Sequence, residues 1–453
     1  MAGLNAALEI GKNALLNAQV QIQITSHNVA NAENPAYARQ KAATVTRGAI
    51  LGSAGWIGAG ARLDRIVQQR DSFLEGRYLN AFSQKAYYET LERLGKAVET
   101  YLSDDGDSGI NAALNDFWNA WNALAQNPEG AAEKALVLEC GANVCGSLNQ
   151  KAFQLQQSRQ GIVTELQDNL STINSLLEKI RHLNRQIQYS ETPAFMANDL
   201  RDQRFQALQE LSHYLHFSAQ DATGGMLNIF LEDGTPLVLF KDYAAELKMT
   251  GDTQSFTVEI KDSGKVVAAF DAAGDQVEDG LKGATGALVE AMGYVDAWQD
   301  ALDQFAEALV TSFQQVYDDT SGGSATSYFF DTTAKTAATI RLSDDPLPFT
   351  SNTLARNALS LQTQGLESLG GLTLSQHLIQ LSQNVGLAVE SASSQALLQN
   401  AVAQQLDAQR QSVSGVSLDE EMVELIKHQQ LYQAAAKVVQ QTAEMIQTAI
   451  NMV

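Results

Sequence analysis

The feature that most constrains this chain is a seven-residue apolar rhythm at each end. Near the start, Leu4, Leu8, Gly11, Leu15, Ala18, Ile22, Thr25 and Val29 follow alternating steps of four and three. Near the end, Leu418, Met422, Leu425, Gln429, Tyr432, Ala436, Val439, Ala443, Ile446 and Ile450 do the same. That spacing lays one stripe along one helix face and is the period of a coiled coil. Gly11, Thr25 and Gln429 weaken the seams, so either stripe alone also reads as the inner face of an ordinary amphipathic helix. Two stripes at opposite ends argue for pairing. Both helices must leave the same central body, so a pair runs antiparallel. The interface residues expected from the stripes are Leu4, Leu8, Leu15, Ile22 and Val29, with Leu418, Met422, Leu425, Tyr432, Val439, Ile446 and Ile450.

Between the ends, proline and turn residues divide the chain. Pro35 ends the first helix. Pro128 and Pro193 punctuate a helical region from about residue 68 to 217, in which Ile162, Leu166, Leu170, Ile173, Leu177, Ile180 and Ile187 keep helical spacing. Residues 226–231, 237–240, 255–260 and 265–270 are short β-branched and aromatic runs separated by Gly- and Asp-containing turns, the pattern of a small antiparallel sheet. Helical pattern resumes over about 284–317 and again over 374–413. The expected fold is mainly α with a small inserted β domain. Residues 1–36 with 417–453 would form an antiparallel terminal coiled coil. Residues 37–216 with 283–416 would form an elongated helical-bundle middle domain, and 217–282 the β domain.

Composition excludes several functions. Lys and Arg number 30 against 52 Asp and Glu, a net charge of -22. Phosphate neutralisation needs clustered cations, so nucleic acid and anionic lipid are poor partners. An acidic chain repels its own copies, so any polymer it forms rests on packed apolar seams. No apolar run reaches membrane-spanning length, so membrane insertion is not expected. The first residues lack the basic region, apolar core and cleavage site of a secretory signal, and export by a route without a cleaved signal stays open. Cys140 and Cys145 sit five residues apart in a helical segment and read as core or free thiols. The glycine-rich stretch 55–60 lacks the strand-then-helix context of a dinucleotide site. Asp104, Asp105 and Asp107 suggest a calcium loop, but no Glu closes it. Glu210, His213 and His216 could share a helix face without a further ligand cluster nearby. No catalytic, metal or cofactor constellation emerges, and the chain reads as a non-enzyme.

The segment after the first helix is the most specific. Asn28, Val29, Ala30, Asn31 and Tyr37 match the N-terminal signature of flagellar rod, hook and hook-associated proteins, with Asn34 and Ala36 where Thr and Gly are usual. Pro35, Arg39 and Gln40 resemble the hook-associated version, with Ala38 in place of Ser or Thr. Further segments are similar to the FlgK family of hook-associated proteins: residues 55–60 with 65–73, the helix of Phe117, Trp118 and Trp121 with Asn127-Pro128, the "LN..I" segment 180–187, and 198–204, after which Phe205 replaces an Asp. Ser414, Gly415, Asp419, Glu420 and Glu421 resemble the family's C-terminal entry, continued by 430–436. The resemblance covers both ends and the helical middle and is weak over the β stretch.

That resemblance implies a structural subunit of the bacterial flagellum at the junction between hook and filament. It implies terminal helices packed as an inner tube, an outward-facing β domain, and export through the flagellar type III apparatus from cytoplasm to cell exterior. The implied partners are hook protein, the third hook-associated protein, other copies of the chain in the axial polymer, and an export chaperone at the C-terminal helix. The alternatives are a distal rod or hook subunit, or a type III secreted effector or adhesin with coiled-coil ends.

Overall fold

The terminal stripes are realised as two long helices. The computed structural model describes residues 2–52, 55–102, 109–192, 195–252, 254–270, 276–279, 281–323, 325–348 and 350–451. In chain order the helices are α1 (Ala2–Ala30), α2 (Ser72–Leu102), α3 (Ile110–Gln126), α4 (Ala131–Ser190), α5 (Asn198–Tyr214), α6 (Gly283–Ser321), α7 (Asn352–Ser360), α8 (Leu374–Ser414) and α9 (Leu418–Asn451). The chain divides into two compact units, residues 1–84, 173–246 and 399–453, and residues 85–172 and 247–398. The aspartates of the candidate calcium loop and Pro193 lie outside the described residues.

In the first unit, α1 and α9 pair antiparallel. Gly11 meets Val439, and Asn28 meets Glu421. A Cβ added at Gly11 would lie 2.9 Å from Val439 Cγ2, so the missing side chain lets the two helices approach closely. That closeness fixes which residues are buried. On α1 they are Gly11, Ala18, Ile24, Thr25 and Asn28. On α9 they are Glu421, Ala435 and Thr442, and His428 completes their seven-residue series. On α1 the buried Gly11, Ala18 and Thr25 lie on the stripe read from the sequence, whereas on α9 the buried series is displaced from that stripe by one position. Leu4, Leu8, Leu15, Ile22, Leu425, Val439 and Ile446 are half-buried at the seam's flanks. Val29, Leu418, Met422, Tyr432 and Ile450 are exposed and stand outside the pair. Small and polar side chains occupy the seam because bulky ones would hold the backbones apart.

Residues 37–68 were expected among the helices of a middle domain but belong to this unit. Strands Gln40–Thr46 and Ala61–Gln68 form an antiparallel ribbon with a bulge after Ala43, and Ile50–Gly52 pairs with Gly55–Ile57. β-branched Thr44, Val45 and Thr46, and the alternation of charged and aliphatic residues over 61–67, suit a half-exposed strand pair. The unit's sheet joins Ser218–Asp221, Leu227–Phe230, Pro236–Leu239 and Tyr243–Ala244 in sequence order, all antiparallel.

The second unit has its own antiparallel meander, in which Leu247–Gly251, Phe256–Ile260, Lys265–Phe270 and Gln276–Asp279 follow in order. Phe256 stacks on Phe270, ring centroids 5.8 Å apart. The expected single sheet over 217–282 is thus two sheets in different units. Hairpin pairing is local, and the alternation that marks a strand does not say where one sheet ends. The helical core of this unit is aromatic. Phe117, Trp118 and Trp121 from α3 meet Phe313 of α6 and Phe329, with Phe117–Phe313 at 5.5 Å and Trp121–Phe329 at 5.4 Å. All five side chains are essentially excluded from solvent. Ser351 caps α7, its hydroxyl accepting from the Leu354 N–H.

The predicted apolar row on α4 is buried at every position from Ile162 to Ile187, and α8 begins where the sequence placed it. Among the described residues no helix is long and apolar enough to cross a membrane.

Candidate functional site

The signature residues converge in the first unit, where the turn after α1, the start of the ribbon, α5 and the α8–α9 connection meet. Asn28 is the centre, 1% exposed. Its Nδ2 donates to the Gln40 carbonyl at 3.0 Å and to Glu421 Oε2 at 2.9 Å. Its Oδ1 accepts from the Tyr37 hydroxyl at 2.7 Å and the Gln40 N–H at 3.0 Å. Both donors and both acceptors of the carboxamide are therefore used, which no other side chain of that size can do. This one group ties α1, the signature turn, the ribbon and α9 together.

The neighbouring residues complete the turn. Asn31 Nδ2 donates to the His27 carbonyl at 2.9 Å and closes the end of α1. Asn34, standing where Thr is usual, accepts from the Ala36 N–H at 3.1 Å and forms an Asx turn. Ala36 replaces the usual Gly without strain. Among the described residues Phe240 is the only non-glycine with φ in the left-handed region. Burial first, then the charges of Asp202, Asp199 and Glu421, push the Tyr37 phenol up, so it remains a donor.

Arg39 links the signature to the C-terminal entry. Its guanidinium lies 2.7 Å from Glu420 Oε2 and 2.6 Å from Glu421 Oε1, and the Arg39 backbone N–H donates to the Ser414 carbonyl at 2.8 Å. The Ser414 hydroxyl donates back to the Arg410 carbonyl at 2.8 Å. A Cβ on Gly415 would sit 2.3 Å from the Gln411 carbonyl oxygen, so this tight exit from α8 requires glycine. Asp419, Glu420 and Glu421 occupy the first turn of α9, where the helix dipole favours negative charge.

The segment 198–204 supplies the third side. Asp202 accepts from the Ala38 N–H at 3.1 Å and Gln68 Nε2 at 2.9 Å, and pairs with Arg70 at 2.5 Å. Burial raises its carboxyl against the opposing pull of Arg70. Arg70 also pairs with Glu75 at 2.6 Å. Phe205, which stands where the family motif has Asp, lies beneath two guanidiniums, Arg70 at 4.9 Å and Arg410 at 5.4 Å from its ring centroid. The aromatic face thus takes the two cations that a carboxylate would otherwise meet. Arg410 also donates to the Pro35 carbonyl at 3.0 Å. The "LN..I" segment has the same logic. Buried Asn184 donates to the carbonyls of Leu227 at 2.7 Å and Phe240 at 2.6 Å, and accepts from Arg204 at 2.8 Å, fixing the unit's sheet to α4.

Sequence reasoning missed Asn17, Glu75 and Arg410. Asn17 donates to the Ala61 carbonyl at 2.9 Å and accepts from the Leu63 N–H at 3.0 Å, pinning the ribbon to α1. A polar residue just off an apolar stripe was its only signal. Elsewhere, Glu210 lies 3.8 Å from Lys179 and His216 3.1 Å from Glu232, while the His213 ring packs near Phe82. Cys140 and Cys145 are free and buried, and burial pushes the Cys145 thiol up to about 12, far from a reactive thiolate.

This arrangement joins α1, α9, the ribbon and α5 into one hydrogen-bonded network, and comparisons with known proteins show the family to which it belongs. Residues 96–330 match the model for the flagellar hook-associated protein FlgK helical domain, and 408–452 match that for the flagellar basal body rod FlgEFG protein C-terminal region. The chain is similar to flagellar hook-associated protein 1 of Bacillus subtilis, 26% identical over 98% of this chain and 97% of the relative. To its Salmonella typhimurium namesake it is 24% identical over 52% of this chain, and the match spans only 41% of that longer protein. A solved structure of the flagellar hook junction protein FlgK from Burkholderia pseudomallei aligns over 53% of this chain and 43% of its own, with 24% identity and a TM-score of 0.46. With more than half of its residues matched by the FlgK helical-domain model, the chain belongs to the FlgK family of flagellar hook-associated proteins.

Proposed function

We propose that the chain is a structural subunit of the flagellar axis at the hook–filament junction, assembled through its terminal helices. The observation that carries this reading is the outer surface of the α1–α9 pair. Leu16, Leu418, Met422, Val423, Ile426, Leu431, Val438, Met445 and Ile450 are all exposed there. An acidic chain that leaves such a row of large apolar side chains in water has a packing surface awaiting neighbours. In an axial polymer these neighbours are other copies of the chain, with hook protein on one side and the third hook-associated protein on the other. Before assembly the same face of α9 suits an export chaperone, and passage through the type III apparatus carries the chain out of the cytoplasm. The name shared by its relatives and the matched family supports this placement over a rod or hook subunit.

The test is substitution of Leu425 or Ile446 by Asp in flagellated cells. Both are half-buried at the flank of the α1–α9 seam, and a charge placed among apolar side chains there is costly unless it is paired. Motility should be lost while circular dichroism and the melt of the second unit stay unchanged. Normal motility with either variant would remove the terminal helices from assembly.

A further inference from the structure

The proposed role of the terminal helices leaves the ribbon unused. Residues 40–68 carry Lys41, Arg47, Arg62 and Arg65 against Asp64 alone, within a chain of net charge -22. All four cations are exposed. Arg47 reaches Glu9 only at 4.0 Å, and Arg65 lies 3.9 Å from its chain neighbour Asp64. Among the described residues no ion pair holds Lys41 or Arg62. The register sets Val45 opposite Arg62 and Ala43 opposite Arg65, so the two arginines share one ribbon face with exposed Val45 and half-buried Ala43. Beyond them, the Gly55–Ile57 strand presents Trp56, 73% exposed. Tryptophan and arginine together are the composition of an interface centre, whereas a merely solvated ribbon favours Lys and Glu.

The charge of the rest of the chain names the occupant. The second unit holds 31 Asp and Glu against 13 Lys and Arg, while the first holds 21 against 17. Basic ribbon and acidic unit are complementary between copies. We propose that the ribbon and its hairpin form a docking surface for a second copy of this chain, with Trp56 as the apolar anchor and Arg62 and Arg65 engaging acidic side chains of that copy's residues 85–172 and 247–398. This contact rests on the self-association reading above but involves neither α1 nor α9. It is electrostatic, so it weakens with salt and orients the incoming copy as well as binding it. Asn17 gives it rigidity by holding the Ala61–Gln68 strand at two backbone positions.

The test places a photo-crosslinking amino acid at position 56 of the full chain, in flagellated cells co-expressing two differently tagged copies. Irradiation of isolated flagella should give an adduct carrying both tags, with the linked peptides drawn from residues 85–172 or 247–398. Arg62→Glu with Arg65→Glu should lower its yield about tenfold, each exposed pair contributing modestly. Arg62→Lys with Arg65→Lys should largely keep it, and unchanged melting of both variants separates contact from folding. Adducts confined to one copy, to another protein, to nucleic acid or to lipid would overturn the proposal. If the flagella contain the chain and cells swim, yet no mixed-tag adduct forms, the ribbon contact fails and the terminal-helix reading stands. A chain absent from flagella would overturn both.

Discussion

Changing Asn28 to Asp keeps the side chain's shape and its acceptor oxygen but turns Nδ2 into an oxygen. That atom then faces Glu421 Oε2 at 2.9 Å and the Gln40 carbonyl at 3.0 Å. Two carboxylates so placed repel by about 6 kcal/mol at an effective dielectric constant of roughly 20. One of them would take up a proton instead. That limits the loss to about 4 kcal/mol at pH 7, the cost of lifting a carboxyl pKa from about 4 to about 7. The shared proton raises the folded-state pKa above its unfolded value. The penalty is therefore full near neutral pH and fades as pH falls toward about 4. Urea unfolding would measure the loss, with amide exchange on α1 and α9 peptides locating it. Against a typical total stability of about 5–15 kcal/mol, the loss is large enough to read directly. Adding Glu421→Gln removes the repulsion, so the double variant should recover at least about 1 kcal/mol of coupling. A loss under about 0.5 kcal/mol at pH 7, or an equal loss at acid and neutral pH, would refute the placement of Asn28 against Glu421.

Other outcomes follow from the same packing. Trp121→Ala should lower the stability of the second unit by about 3–5 kcal/mol, seen as an earlier melt, and an unaltered melt would contradict the aromatic core. Gly11→Val should speed amide exchange along α1 and α9 while Gly3→Val, with nothing within 4 Å of its added carbon, should not. Equal effects would place the close approach elsewhere. Burial, reinforced by Lys427 and opposed by Glu424 and Glu421, holds the His428 imidazole below its usual value. Its contribution to stability is then present above pH of about 6.5 and lost as pH falls, and melting from acid to neutral pH should lose that slope in His428→Gln.

Much of this was legible in the residues. Helical spacing found the inner face of α4 and the starts of α6 and α8, because burial on a helix repeats every three to four residues. The signature was legible as a pattern, but its chemistry was not. Nothing in the run from Asn28 to Tyr37 announces that one carboxamide joins four segments, since Gln40 and Glu421 are brought to it only by the fold. On α1 the stripe already held the buried Gly11, Ala18 and Thr25, but on α9 the seam was misplaced by one position because bulky side chains such as Met422 and Ile450 were given priority over Ala435 and Thr442. Close helix approach reverses that priority. The ribbon over 40–68 went unseen because its strands are only half-buried and alternate weakly. The division of the β stretch into two sheets depends on pairing, which alternation does not encode.

The central claim is a position: this chain belongs between hook and filament. Electron microscopy of flagella carrying a label on the chain tests it most directly. The account predicts a short band of label at the hook–filament boundary of each flagellum, and loss of attached filaments when the chain is deleted. Label spread along the hook, the rod or the filament, or filaments that stay attached without the chain, would contradict it.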